Sequence, residues 1–145
     1  MRRVSLLFAL AGAAAVWAAP AGACTIGATG VAFGSYDPRS ATAKDSTGTV
    51  TLNCPSNRSG VVSMSTGGSA SYTQRKMASG ANTLNYNLYT NSTRTAVWGD
   101  GTGGSTTVSV AKGYAGTLTI YGRIPASQNV RAGTYSDTIT VTVTF

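Results

Sequence analysis

The side chains able to do acid–base or metal chemistry are few in this 145-residue chain. It contains no His and no Glu, and its only carboxylate side chains are Asp37, Asp45, Asp100 and Asp137, which are scattered along the sequence. Ser-His-Asp triads, zinc sites of the His type and paired-Glu chemistry all need residues that are missing here. The sequence therefore predicts a protein that is not an enzyme and that has no cofactor and no metal.

A glycine-rich stretch at residues 99–104, GDGTGG, matches the pattern G-x-G-x-x-G of nucleotide-binding loops. Such a loop holds phosphate at the N-terminus of a helix that follows it. Here the next residues have the composition of a strand, so we interpret the stretch as a hairpin tip. Asp100 is then a solvated carboxylate and not a cation ligand, since calcium sites collect several oxygen ligands.

The two cysteines, Cys24 and Cys54, are 30 residues apart. A redox or metal-binding pair is usually closer in sequence, and no third ligand type accompanies them. In an exported chain the expected role is a single structural disulfide. Closing a loop of this length stabilises the fold by roughly 3–4 kcal/mol in the chain-entropy model.

The first 23 residues have the composition of a secretion signal. Arg2 and Arg3 precede an apolar run over residues 4–16, and small-residue cleavage sites follow at Ala18 and Ala23. The run is too short to span a bilayer as a helix. We therefore predict cleavage of residues 1–23, export through the inner membrane, and no transmembrane segment in residues 24–145.

Removal of that 23-residue leader leaves 122 residues, enough for one domain with a core, and lowers the net charge from +7 to +5 because two arginines are lost. The remaining basic residues are scattered singly apart from the adjacent Arg75 and Lys76. No nucleic-acid footprint is indicated, and the charge is expected to serve solubility.

The most regular segment is residues 133–145, GTYSDTITVTVTF. Ile139, Val141, Val143 and Phe145 alternate with threonines, which is typical of a strand with one face in a core. The sequence stops within this strand. Because an open apolar edge invites aggregation, we expect another segment to cover it.

The other segments also alternate with a period of two and predict short strands at residues 24–36, 47–54, 61–65, 84–89, 106–110 and 117–124. No window has the 3.6-residue apolar period of a helix. The predicted fold is an all-β sandwich. Besides the last strand, the residues expected to line the core and the strand-acceptor groove are Val50, Leu52, Leu118 and Ile120.

Several short motifs occur together in a fixed order: FGSYD at 33–37, VTLNC at 50–54, RKM at 75–77, LNYNLY at 84–89, VWGDG at 97–101, YGRIPA at 121–126 and AGTYSD at 132–137. With the two cysteines they resemble the spore coat protein U domain family, whose members include subunits of archaic chaperone–usher pili. The resemblance extends over residues 24–145.

This resemblance implies an immunoglobulin-like sandwich that lacks its last strand and has a disulfide between Cys24 and Cys54. A periplasmic chaperone lends the missing strand, and the N-terminal extension of a neighbouring subunit replaces it by β-augmentation at an outer-membrane usher. The implied partners are the chaperone, the usher and other pilus subunits. The implied route runs through the periplasm to the cell surface.

One departure from the family concerns the donor segment that precedes the first cysteine. Cleavage after Ala23 leaves none, and cleavage after Ala18 leaves only five residues. The hypothesis is therefore a tip or terminal pilus subunit with a role in adhesion or biofilm formation, with a surface or glycan receptor. The alternatives are a spore coat or envelope protein of the same fold, closed by its own N-terminal strand, and a small carbohydrate-binding module.

Three side chains have more than one interpretation. Trp98 and Tyr121 are expected to fill the core, with stacking on a sugar as the alternative. Asp137 falls on the inward face of the last strand, where a charge needs a partner. Arg123 is the candidate partner, and the alternatives are a position on a shared groove rim and a position above the core at the start of the strand.

Overall fold

Two β-sheets pack face to face in the computed structural model of the chain, which describes residues 2–8, 15–16 and 23–145. The strands are β1 (Arg2–Phe8), β2 (Ala15–Val16), β3 (Thr25–Thr29), β4 (Lys44–Asn53), β5 (Gly60–Met64), β6 (Arg75–Ser79), β7 (Asn82–Tyr89), β8 (Val108–Val110), β9 (Ala115–Ile124) and β10 (Asp137–Thr144). One 3₁₀ turn, Gly67–Ser69, lies between β5 and β6.

The four-stranded sheet has the order β1-β10-β5-β8, and the six-stranded sheet has the order β2-β3-β4-β9-β7-β6. Neighbouring strands are antiparallel in both sheets. The prediction of an all-β, immunoglobulin-like sandwich is confirmed. No helix in the described ranges is long and apolar enough to cross a membrane.

The core lies between the sheets because each long strand directs alternate apolar side chains to one face. Val50 on β4 and Ile120 on β9 have no exposed surface, and neither do Ile139 and Val141 on β10. Leu52 and Val143 are almost as deeply buried, while Leu118 and Phe145 are half-buried against the same cluster. These eight residues therefore lie in or against the core, and their role in a strand-acceptor groove stays a prediction.

The disulfide between Cys24 and Cys54 is present, with the two Cα atoms 4.1 Å apart. It joins the residue before β3 to the residue after β4, at the end of the ladder in which Thr25 pairs with Asn53. Both cysteines are buried. The predicted covalent link therefore closes one corner of the six-stranded sheet.

The first predicted strand is shorter in the structure than in the sequence interpretation. β3 ends at Thr29, and residues 30–36 leave the ladder while still burying Val31 and Phe33. Gly48 makes this departure possible, since a Cβ there would come within 2.6 Å of the Thr29 carbonyl oxygen. A close approach of two backbones, not a loss of hydrophobic pattern, shortens the strand.

β6 was absent from the strands predicted from sequence. Its inward positions are Arg75 and Met77, and its outward positions are Lys76 and Ala78. An arginine at a fully buried position hides the apolar alternation on which the prediction depended. Arg75 is also part of the candidate site described below.

Candidate strand-acceptor site

The strand β10 has a different neighbour along each of its two sides. On one side, Val141 to Thr144 pair with Met64 to Val61 of β5. On the other side, all of β1 pairs with Val143 to Asp137, with Val4 opposite Val141 and Leu6 opposite Ile139. In the 145-residue chain both sides of β10 are therefore paired. The open edge expected from the sequence exists only when residues 1–23 are removed.

Beyond the end of β5, other segments of residues 24–145 continue to pair with the same side of β10. The Ser65 amide donates to the Thr140 carbonyl at 2.9 Å, and the Thr140 amide donates to the Ser65 hydroxyl at 2.9 Å. Farther along, Ser136 and Ala78 exchange two backbone hydrogen bonds of 2.8 and 3.0 Å. This side of the strand is held along its whole length by the domain itself.

Asp137 anchors the beginning of β10. It is 9% exposed, and its carboxylate accepts hydrogen bonds from the Gly68 amide at 2.9 Å, its neighbour's amide at 2.8 Å and the Tyr86 hydroxyl at 2.6 Å. Burial, followed by the charge of Asp137, raises the pKa of Tyr86, so this phenol stays protonated and donates. Only glycine fits at position 67, because a Cβ there would overlap the carboxylate and the residue has a φ of +67°.

Arg75 is completely buried between the two sheets. Its Nε and Nη2 donate to the Ser65 carbonyl at 3.0 and 2.7 Å, and Nη2 also donates to the Trp98 carbonyl at 2.7 Å. Nη1 donates to Asn87 Oδ1 at 2.8 Å. Desolvation lowers the pKa of Arg75, but an arginine remains charged at physiological pH.

Five side chains, Ser65, Arg75, Tyr86, Asn87 and Asp137, form what we call the polar hub. Its buried groups are satisfied: among the described residues no buried side-chain nitrogen or oxygen lacks a hydrogen-bond partner. The hub begins where the β5 ladder ends, and it fixes the first half of β10 to both sheets. A fully bonded buried network of this kind rigidifies one arrangement of the backbone.

The predicted pairing of Asp137 with Arg123 is wrong. Arg123 Nε and Nη2 donate to the two carboxylate oxygens of Asp45 at 2.7 and 2.9 Å, on the outer face of the six-stranded sheet. Arg94 adds a contact of 3.3 Å to the same carboxylate. The hydrogen bond from Arg123 lowers the pKa of Asp45. The alternation of side chains along a strand could have excluded this pairing from the sequence. Arg123 is next to the inward-facing Ile124 and must therefore face outward.

The two aromatic candidates separate in the structure. Trp98 is 1% exposed, and its indole Nε1 donates to the Val62 carbonyl at 3.1 Å, so the core interpretation is confirmed for this residue. The core interpretation is wrong for Tyr121, which lies half-buried on the outer face with the Arg94 guanidinium 5.8 Å from its ring centre. A buried Trp98 offers no ring face to a sugar.

The glycine-rich stretch at residues 99–104 is a surface turn. Asp100 is exposed and accepts hydrogen bonds from the Thr102 amide and hydroxyl at 2.8 and 2.6 Å. These bonds lower the pKa of Asp100. Within the described ranges, no group of three or more His, Cys, Asp or Glu side chains could hold a metal ion.

The sequence and the fold are both similar to those of known proteins. The sequence matches the Spore Coat Protein U domain over residues 10–142. The chain belongs to the Spore Coat Protein U domain family. It is also 34% identical to Protein U of Myxococcus xanthus, an alignment that covers 86% of this chain and 78% of that protein. The resemblance predicted from the sequence motifs is thus confirmed.

Among solved structures, the fold is similar to a chain of the CsuC-CsuE chaperone-tip adhesion subunit pre-assembly complex, from archaic chaperone-usher Csu pili of Acinetobacter baumannii. The TM-score is 0.56 and the sequence identity is 24%. The alignment covers 84% of this chain but only 39% of that one. At this identity the similarity shows a shared fold.

Proposed function

We propose that residues 24–145 form an exported structural subunit of a surface pilus that is completed by a strand from another polypeptide. One observation carries the proposal: of the residues that the structure describes, only Arg2–Phe8 pair with the second side of β10. Those residues belong to the predicted leader. Removal of these residues would eliminate the seven residue pairs between β1 and β10. The apolar strand β10 would then have one unpaired edge.

A strand added from a second chain would form backbone hydrogen bonds with such an edge. Its alternate side chains would fill apolar pockets of the acceptor. The completely buried side chains of Ile139 and Val141 would otherwise face a gap between the sheets. The polar hub supports the same function, because it holds β10 extended from the other side while the donor is absent. The edge is thereby preorganised, which reduces the entropy lost on binding.

The membership in the Spore Coat Protein U domain family and the shared fold with a pilus-complex chain support the proposal of a pilus subunit. The proposed partners are a periplasmic chaperone, an outer-membrane usher and neighbouring subunits. Cleavage after Ala23 would leave Cys24 as the first residue, without a donor segment. A subunit that accepts a strand and offers none fits the tip of a fibre, where adhesion is the proposed role.

The test uses the processed protein recovered from the producing cell, with its N-terminus determined by mass spectrometry. Thermal unfolding and light scattering are measured without a donor and with a peptide of sequence RRVSLLF, which is residues 2–8. The control peptide replaces Val4 and Leu6 with aspartate. We expect the processed protein to aggregate when no peptide is added. The RRVSLLF peptide should raise its Tm, and the control peptide should leave the Tm unchanged.

A second function is favoured by the pairing of β1 with the whole of β10. A chain that keeps residues 2–8 is a closed sandwich and fits a spore coat or envelope protein that stands outside any pilus. Recovery of a stable monomer that still begins before residue 2, or of a processed monomer indifferent to the peptide, would replace the pilus proposal with this one.

A further inference from the structure

The outer face of the six-stranded sheet carries two tyrosines and two arginines close together. Tyr89 of β7 is opposite Tyr121 of β9. Arg123 lies two residues along β9 from Tyr121, on the same face, and is opposite Asp45 of β4. The Arg94 guanidinium reaches this face from the loop after β7 and lies 5.8 Å from the centre of the Tyr121 ring. We call these five residues the outer patch.

The loop at residues 90–96 holds Arg94 in an unfavourable backbone conformation. Its φ is +55°, a value that residues with a Cβ rarely adopt and that persists where the surrounding structure fixes it, often at ligand-binding sites. Asn91 fixes this loop. Its Oδ1 accepts hydrogen bonds from the amides of Thr95 and Ala96 at 3.1 and 3.2 Å, and its Nδ2 donates to the Thr95 hydroxyl at 2.7 Å. The Arg94 guanidinium is therefore preorganised over the sheet.

Both arginines of the outer patch keep donor capacity for a ligand. Arg94 Nε donates to the Gly122 carbonyl at 3.2 Å, and its Nη1 donates to the Ser92 carbonyl at 2.9 Å. Arg123 uses Nε and Nη2 on the carboxylate of Asp45. Among the described residues, Nη2 of Arg94 and Nη1 of Arg123 have no hydrogen-bond acceptor.

The outer patch has an excess of positive charge. Two guanidinium groups, those of Arg94 and Arg123, share the single carboxylate of Asp45. The other three aspartates are bonded elsewhere, in the turn at 37–40, the glycine-rich turn and the polar hub. Because an arginine stays charged and matches the planar geometry of a carboxylate, the expected ligand carries an anionic group of this type.

The rest of this sheet face is rich in hydroxyl groups. Thr47 and Thr49 on β4, and Thr117 and Thr119 on β9, continue the face beyond the outer patch. Hydroxyl groups both donate and accept hydrogen bonds, as those of a sugar do. Of the described residues, Val61 is the one large hydrophobic residue that is exposed, and it lies on β5 in the other sheet. The outer patch is thus not surrounded by the apolar side chains that form the core of a protein–protein interface.

We propose that the outer patch binds an acidic sugar unit of a polysaccharide, such as a hexuronate. The sugar ring stacks on Tyr89, its carboxylate pairs with the guanidinium nitrogens that have no acceptor, and neighbouring sugar hydroxyls bond to the threonines. Charge complementarity, with aromatic rings beside the cations, identifies this ligand. In naming a receptor chemistry the inference rests on the proposed adhesive function, but the outer patch contains no residue of β1 or β10.

The experiment measures the binding of oligogalacturonate to the 145-residue chain by isothermal titration calorimetry at low salt. The fully methyl-esterified oligomer of the same length is the neutral control. Because esterification removes the charge and leaves the sugar ring, we expect the acid to bind on the order of tenfold more tightly than the ester. Both sides of β10 are paired in this chain, so the measurement requires no donor strand.

Two arginine variants separate the outer patch from general charge attraction. Arg123→Gln should lower the affinity for oligogalacturonate by about three- to tenfold, because a charge-assisted hydrogen bond is lost. Arg58 is exposed and follows the opposite end of β4 from Asp45. Arg58→Gln removes the same charge and is the matched control, which should leave the affinity within about twofold.

A third variant tests the sugar ring. Tyr89→Leu keeps an apolar side chain but removes the aromatic face. It should weaken the binding of both oligomers by about threefold, and it should leave the binding of inorganic polyphosphate, which has no ring, unchanged.

The outcomes separate the two proposals. No binding of oligogalacturonate, equal affinities for the acid and the ester, or equal losses for Arg123→Gln and Arg58→Gln would overturn the sugar site. Polyphosphate that binds as tightly as oligogalacturonate, with both ligands indifferent to Tyr89→Leu, would assign the outer patch to polyanions in general and reject the sugar. Failure of the RRVSLLF peptide to bind the processed protein would overturn the proposed function and leave the sugar measurements as they stand.

Discussion

The two sides of β10 are built from different parts of the chain. The β5 side is made by residues 60–86, which contribute a ladder, a serine with three hydrogen-bonding roles and a buried arginine. The β1 side is made by Arg2–Phe8, within the predicted leader. The difference is that residues 24–145 supply one neighbour of this strand, whereas the other neighbour lies in the predicted leader and is replaced by a second chain under the proposed function.

The largest expected effect concerns the β5 side. Arg75→Ala would leave the buried carbonyls of Ser65 and Trp98 without the guanidinium as donor, and Asn87 Oδ1 would keep only its bond from the Leu88 amide. We expect a loss of about 3–5 kcal/mol in the free energy of unfolding. Urea denaturation of the 145-residue chain would measure it.

The neighbouring Lys76→Ala serves as the control for Arg75, because its side chain is exposed on the outer face of the same strand. Surface substitutions of this kind change stability by about 0.5 kcal/mol or less. Equal losses for the two variants would show that the hub does not hold the sheets together.

A smaller loss is expected at the start of β10. Asp137→Ala would deprive the Gly68 amide and the Tyr86 hydroxyl of their acceptor, at a cost of about 2–3 kcal/mol. A double-mutant cycle with Tyr86→Phe should give a coupling of about 1–2 kcal/mol, since the bond between the two side chains is charge-assisted.

The same cycle carries its own control. Tyr36→Phe removes another tyrosine hydroxyl, one that bonds to Pro125 and Gln128 instead. Additive losses between Asp137→Ala and Tyr86→Phe, or coupling of equal size with Tyr36→Phe, would contradict the assignment of Tyr86 to the hub.

The smallest effect is expected on the outer face of the other sheet. Asp45 and Arg123 form a well-aligned ion pair, but their side chains are 35% and 39% exposed. Exposed pairs are screened by solvent, so Asp45→Asn should cost less than about 1 kcal/mol. Thermal unfolding in low and high salt would check this value, which should shrink as salt is added.

The pH dependence of that pair has a definite sign. The pKa of Asp45 is lowered in the folded chain by the hydrogen bond from Arg123. Its contribution is therefore present above the unfolded pKa of about 4 and is lost as the pH falls through the lower folded value. In the Asp45→Asn variant this part of the acid destabilisation should be absent, which pH-dependent melting curves would reveal.

Much of the fold could be predicted from the sequence. Apolar and polar residues alternate clearly in strands that have an apolar inward face and a polar outward face. The inward positions of β4, β9 and β10 are mainly apolar, such as Val50, Ile120 and Val141, and these strands were predicted. β6 was missed because its inward position holds Arg75. The acceptors of that arginine are mainly backbone carbonyls, which leave no trace in the sequence.

The candidate site was predictable only in part for a related reason. The apolar face of β10 follows from periodicity, but the partner of Asp137 depends on which strands are neighbours. Arg123 is opposite Asp45 in the β4–β9 ladder, and this register decides its partner. Tyr86 and Gly68 come from a different strand and a turn, so only the assembled sheets bring them to Asp137.

Residue-resolved amide hydrogen exchange on the processed protein tests the β1 side of β10 most directly. Without a donor, the amides of Ile139, Val141 and Val143 should exchange rapidly, while those of Thr140 and Thr142, which face β5, stay protected. Addition of the peptide RRVSLLF should slow the first three and leave the other two unchanged. Protection of all five amides in the processed protein alone would contradict completion by a second polypeptide.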